Sequence, residues 1–155
     1  MLAMAEQAPQ PAGATDGEVH RYPFRVHWED TDAAGIVYYA NYLRFIERGR
    51  SDLVRRAGVD QATLLAEEGI TFQVRRCRLD YLAPARLDDE LEVWTTLRRL
   101  GAALIDLEQV VRRGETDLVR AEVRLACVGA DIGATRIPAP VRQALEPFLA
   151  TIEEG

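Results

Sequence analysis

The chain has 155 residues, 48% of them hydrophobic and 28% charged, which fits one globular domain and excludes wholesale disorder. Nineteen basic against 25 acidic residues leave a net charge of −6, which argues against broad, salt-driven nucleic-acid binding. Every basic residue is Arg, and a chain with no Lys forms no Schiff base and supplies no P-loop lysine.

Other counts narrow the chemistry. His20 and His27, and Cys77 and Cys127, have no metal-site or C-x-x-C spacing, so a structural zinc is not expected. The single serine, Ser51, lies in Gly49-Arg50-Ser51-Asp52-Leu53, which is not a G-x-S-x-G elbow. Hydrolytic chemistry, if the chain has any, therefore rests mainly on carboxylates. Residues 1–19 carry no basic side chain and no long apolar run, so they read as a mobile tail rather than a secretory signal or transit peptide. One domain over 20–150 follows. No run of about 18 apolar residues occurs, and two unpaired cysteines fit a reducing cytoplasm, the expected location.

From Tyr22 the pattern has period two. Tyr22, Phe24, Val26 and Trp28 alternate with Pro23, Arg25 and His27, which predicts a half-buried strand. A turn rich in carboxylates follows, from Glu29 to Gly35. Val37, Leu43, Ile46, Leu53 and Val54 then fall on one face of a helix at about 39–57, closed by Arg55, Arg56 and Gly58. Inside it, Gly49 costs about 1 kcal/mol against Ala and so marks close helix-to-sheet packing. A second helix at about 60–68 opens on Asp60 as N-cap and closes on Gly69.

The remainder reads as strands. Ile70, Phe72 and Val74 alternate on one parity and Cys77, Leu79 and Tyr81 on the other, so a bulge is expected at Arg75-Arg76. Cys77, at an inward position, is expected to be a small buried hydrophobe. Further strands fall at about 88–99, 102–112 and 117–128, and Pro138 opens a short C-terminal helix. The sum is an α+β domain: a long central helix wrapped by a curved antiparallel sheet of about five strands, the last four as a meander.

One stretch carries chemistry, Trp28 to Tyr42. It places carboxylates on a strand-to-helix turn, where free backbone N–H groups and the positive end of the helix dipole make an anion site. Gly35 lets the chain turn and lets a ligand approach the backbone. A carboxylate and a backbone donor facing one carbonyl are equipped to attack it and hold the oxyanion. The plainer use of Asp30, Thr31 or Asp32 is to cap the helix.

The run DTDAAGIVYYANYLRFIERGR resembles the signature of hotdog-fold acyl-CoA thioesterases of the 4-hydroxybenzoyl-CoA thioesterase class, and most of all their Tol-Pal-associated branch. The resemblance continues through Ile70-Thr71-Phe72 and Asp80 to Ala85 as far as Arg136-Ile137-Pro138, covering about residues 20–145. It implies a hotdog fold and hydrolysis of an acyl thioester. Asp32 matches the catalytic carboxylate. Tyr39 matches the position whose backbone N–H polarises the thioester carbonyl, with Tyr where many of that branch have His. Gly35, Val37, Tyr38 and Asn41 fall at substrate-binding positions. The resemblance also implies dimers that pair their sheets edge to edge with active sites between subunits, often as dimers of dimers.

Where relatives carry basic residues for the CoA phosphates, this chain reads Gly101-Ala102-Ala103, leaving Arg98, Arg99, Arg75 and Arg76 as substitutes. An acyl-carrier-protein thioester is therefore a second expected substrate form. No metal or redox cofactor is implied, since coenzyme A belongs to the substrate. The competing reading is a non-catalytic module that holds acyl groups or acyl carrier protein for a membrane-associated complex. A hotdog dehydratase ranks last, because neither His lies near the helix start.

Overall fold

The computed structural model describes residues 11–12 and 19–150. The mobile tail expected over 1–19 therefore lies mostly outside the described residues. Pro11–Ala12 (β1) form a two-residue strand on Val19–Arg25 (β2). A 3-10 turn at Trp28–Asp30 and another at Tyr39–Asn41 lead into α1 (Tyr42–Arg56), followed by α2 (Gln61–Glu68). Strands β3 (Thr71–Tyr81), β4 (Glu90–Leu100), β5 (Leu104–Arg113) and β6 (Thr116–Val128) precede α3 (Ala139–Leu145). The fold is thus five long strands and one long helix, as the residue pattern predicts.

Local chemistry explains the element ends. The Asp60 carboxylate accepts the Thr63 N–H at 3.2 Å and caps α2, and Gly69 closes it in the left-handed conformation at φ 66°. The register of β3 shifts between Val74 and Arg76, which is the expected bulge.

The strand order corrects the expected meander. It is β1-β2-β4-β5-β6-β3, all antiparallel, so β3 leaves α2, bypasses β4 and pairs with β6 at the far edge. Alternation reports which face a residue takes, never which strand lies beside it. The same placement corrects Cys77. It keeps inward parity opposite Val123, but β3 is an edge strand of the sheet with one flank uncovered in the chain, and the thiol is exposed. Trp28 is corrected too: the strand ends at Arg25, and Trp28 sits in the 3-10 turn, 78% exposed.

Helix α1 lies on the inner sheet face and buries Tyr42, Phe45, Ile46, Gly49 and Leu53, whereas Leu43 of the expected face points outward. Gly49 is the point of closest approach, since a Cβ there would stand 2.6 Å from Val93 Cγ1. Two buried polar contacts bind helix to sheet. Gln109 of β5 donates through Nε2 to the Ile46 carbonyl (2.8 Å) and the Thr95 hydroxyl (2.9 Å). His20 of β2, fully buried, bonds the Asp52 carboxylate through Nε2 at 2.8 Å. These contacts fix where the start of α1 stands, and hence the turn before it.

Candidate active site

Residues 31–37 form a miniature hairpin at the mouth of α1. Thr31 bridges Val37, the Asp32 N–H donates to the Ile36 carbonyl (2.9 Å), and the Gly35 N–H donates back to the Asp32 carbonyl (3.0 Å). Gly35 takes φ +79°, the conformation this four-residue turn demands and glycine adopts freely. None of the acids caps α1, whose N-cap position is Asn41 with no side-chain cap bond.

Each acid has a different task. Asp30 is buried, and its carboxylate accepts the His27 N–H at 2.8 Å, closing the first 3-10 turn. The Asp30 carbonyl accepts both the Tyr38 N–H and the Asn41 side-chain amide, each at 2.9 Å. Asp32 is exposed and directs Oδ1 at the Ala34 N–H (2.8 Å), an Asx turn that holds its rotamer. Its Oδ2 makes no hydrogen bond among the described residues. The carboxylate is therefore oriented by its own loop with one oxygen left over.

Tyr39 is the first residue of the second 3-10 turn, so its N–H has no intrahelical acceptor, and it makes no hydrogen bond among the described residues. Its carbonyl is held by the Tyr81 hydroxyl at 3.1 Å, which ties the turn to the end of β3. The rings of Tyr38 and Tyr39 stand 4.9 Å apart. The Tyr39 hydroxyl beside it pushes the Tyr38 phenol up from the ordinary tyrosine range, and the nearby Asp32 charge acts in the same direction. The carboxylate and Tyr38 thus belong to one locality.

The other candidates separate into support and surface. Val37 is buried, and its N–H donates to the Ala85 carbonyl at 2.9 Å, so it anchors the hairpin; Asn41 holds the turn through Asp30. Gly35 and Tyr38 stay exposed beside Asp32. The four arginines lie away from this turn. Arg76 and Arg98 share a depression on the outer face of the sheet with Arg124, Asp106 and two glutamates, and Arg98 pairs with Glu108 at 3.0 Å. Arg75, Arg76 and Arg99 make no ion pair among the described residues.

Residue-pattern reasoning placed nothing from an apolar-floored cavity under α1 in the site. This space of about 290 Å³ lies between α1 and the sheet, lined by Val54, Phe72 and a floor of leucines, with Glu47, Arg50 and Ser51 at its opening. Glu47 makes no ion pair within 4 Å among the described residues. The signal available in the sequence was Arg50, a cation on the inward half of an amphipathic helix. Burial lowers its proton affinity, which Glu47 partly restores.

The sequence profile of the thioesterase-like superfamily matches residues 26–145. The acyl-CoA thioester hydrolase YbgC of Escherichia coli O6:H1 is 43% identical over 109 residues, 70% of this chain and 81% of that protein. The acyl-CoA thioesterase YbgC of Haemophilus influenzae is 43% identical over 112 residues, 72% of this chain and 81% of its own. Among solved structures, a probable thioesterase from Bartonella henselae superposes with a TM-score of 0.75 at 36% identity, covering 77% of this chain and 99% of that one. With the hotdog architecture and the hairpin at the mouth of its helix, this chain belongs to the thioesterase-like superfamily.

Proposed function

We infer that the chain hydrolyses an acyl-CoA thioester to the free acid and the thiol. The observation that carries this reading is the 43% identity to acyl-CoA thioester hydrolases over four-fifths of their length. The same likeness disfavours the non-catalytic acyl-binding alternative. Asp32 is the reactive carboxylate. It either takes a proton from the attacking water or adds to the carbonyl carbon itself, giving a mixed anhydride that water then opens. The unengaged Tyr39 N–H receives the carbonyl oxygen as it gains negative charge, a contribution worth about 10²–10³ in rate where such donors have been tested. The tetrahedral adduct expels the thiolate. A thiol with a pKa near that of Cys, about 8.5, leaves with little help from a general acid, so the site works without His. No resident cofactor is required.

The working form is a homodimer or dimer of dimers paired through β3. That strand is eleven residues long, lacks Pro, and has one paired edge and one free edge, with Val74 and Tyr81 each half exposed on the helix side. Arg75, Arg76 and Arg99 are the cations left for CoA phosphates, with Arg98 neutralised by Glu108; acyl carrier protein is the alternative thiol carrier. The cytoplasm, where acyl-CoA is made and used, is the proposed location.

Asp32→Asn tests the assignment. It preserves the Oδ1 bond to Ala34 and removes the charge, so kcat on acyl-CoA falls about 10²–10⁴-fold, the usual worth of a general base, with Tm unchanged. Equal turnover by Asp32→Asn and wild type removes Asp32 from the mechanism. Label found in the Asp32 carboxylate after a single turnover in ¹⁸O water identifies an anhydride opened at the Asp32 carbon, because in the general-base route the water oxygen enters only the product acid.

A further inference from the structure

The Tyr39 N–H is useful only while its peptide is aimed, and that peptide is gripped on both sides. The plane that carries the N–H ends in the Tyr38 carbonyl, which accepts the Asn41 N–H at 2.8 Å. The next plane carries the Tyr39 carbonyl, which accepts the Tyr81 hydroxyl at 3.1 Å. The first bond belongs to the turn itself. The second comes from outside it, from the last residue of β3, 42 positions along the chain.

Tyr81 stands on a rigid base. Its backbone is registered against the fully buried Val119 of β6, and the Leu82 and Ala83 N–H groups that follow both donate to the Leu118 carbonyl, at 2.8 and 3.2 Å. Its ring is flanked by two others, edge-on to Tyr42 at 5.8 Å and to Tyr39 at 6.2 Å. Burial pushes the Tyr81 phenol up from the ordinary tyrosine range, so the hydroxyl keeps its proton and stays a donor at neutral pH. The residue is also half exposed, so water replaces the lost partner when the hydroxyl is removed, and folding has little at stake.

We propose, resting on the thioesterase reading above, that Tyr81 is a positioning residue for the reaction, its hydroxyl holding the Tyr39 peptide so that the N–H stays aimed at the oxygen of the reacting carbonyl. Tyr81 acts through Tyr39 and touches no reacting atom. Its effect is confined to the step in which charge develops on that oxygen, because a donor fixed in advance needs no reorganisation at that moment. Without the hydroxyl the turn keeps its internal Tyr38–Asn41 bond and loses its tie to the sheet, and the N–H wanders off line.

The test uses the full chain with acetyl-, octanoyl-, palmitoyl- and benzoyl-CoA, and follows the thioester turned over fastest. Tyr81→Phe keeps the ring and removes the hydroxyl alone. Its kcat falls about three- to tenfold, the worth of one neutral hydrogen bond, and KM is unchanged, as for an interaction made only in the transition state. Tm stays within about 2 °C of wild type, as for a half-exposed substitution.

Two changes at position 39 show the route. Tyr39→Pro removes the N–H and suits the backbone, since Tyr39 opens its 3-10 turn and Tyr38 before it is extended, at φ −63° and ψ 129°. It lowers kcat about 10²–10³-fold, and adding Tyr81→Phe to it lowers kcat no further. Tyr39→Ala removes the ring and keeps the N–H, and on that background Tyr81→Phe costs its full about three- to tenfold. A Tyr81→Phe kcat equal to wild type, or a fall matched by a loss of Tm, overturns the role. So does a Tyr81→Phe loss that persists undiminished beside Tyr39→Pro, because the hydroxyl then acts on something other than the N–H. The hydrolase reading fails by a different result: wild type turns over none of the four thioesters, and the role of Tyr81 falls with it.

Discussion

Gly49→Ala gives the sharpest test of how α1 is seated. On helix propensity alone the change stabilises by up to about 1 kcal/mol. The packing opposes it. The new Cβ would stand 2.6 Å from Val93 Cγ1 and 2.9 Å from Val93 Cβ, whereas carbons in contact need roughly 3.5–4.0 Å. Val93 has no room to yield, being fully buried and paired with Tyr22 on one side and Val111 on the other. The helix has to rise by roughly 1 Å. That motion takes the Gln109 bond to the Ile46 carbonyl from 2.8 Å to beyond hydrogen-bond range. Overpacking costs about 1–3 kcal/mol and the weakened buried bond a similar amount, so the net loss is about 1–5 kcal/mol after the propensity gain. At ~2–4 °C per kcal/mol for a chain of this size, Tm falls by roughly 2–20 °C. Thermal and urea unfolding at fixed protein concentration measure it, with Gly49→Ala/Val93→Ala as the second leg. The double variant is more stable than the sum of the single losses because the clash is gone. A Gly49→Ala protein as stable as wild type refutes the argument.

Two further outcomes follow from other sites. Burial holds His20 below the usual imidazole range against the opposing pull of Asp52, so the unfolded chain takes up that proton at higher pH than the folded one. The stability this contributes is complete above about pH 6.5 and is lost as pH falls below it; His20→Gln flattens the Tm profile between pH 7.5 and 5.5, and an unchanged profile sinks the assignment. Cys77→Asp places a charge on the open edge where the proposed partner strand sits, so light scattering shows a shift toward monomer and acyl-CoA turnover falls with it. Unchanged mass at every concentration dismisses β3 as the interface.

What the residues disclosed and what they hid divides along physical lines. Short-range chemistry was readable: Asp60 and Gly69 at the ends of α2, the bulge at Arg75, and the tight seat of Gly49 each depend on neighbours within a few residues or on an unusual residue type. Asp32 stood out as a carboxylate on a glycine turn, yet its partition between Ala34 and a free oxygen required coordinates. Pairings across the chain were hidden. Nothing in the alternation of β3 shows that β6 rather than β4 is its neighbour, so Cys77 was buried on paper and is bare in the fold. The His20–Asp52 bond joins residues 32 apart and leaves no periodic trace. Thr95 and Gln109 did leave one, as polar residues at inward positions of otherwise apolar strands, and they meet each other beneath the helix.

The place of β3 in the sheet also has a consequence for how the chain acquires its shape. Its sole partner, β6, is synthesised last of the strands, after the whole β4–β5 hairpin. The three-strand ribbon β4–β5–β6 closes through short connections, whereas β3 joins only when its distant mate exists, at a larger cost in loop entropy. Until then eleven residues, Phe72, Val74, Leu79 and Tyr81 among them, wait unpaired on both sides. During refolding, backbone amides of β3 should accordingly gain protection against deuterium exchange last among the long strands, and crowded or rapid synthesis should trap this segment first.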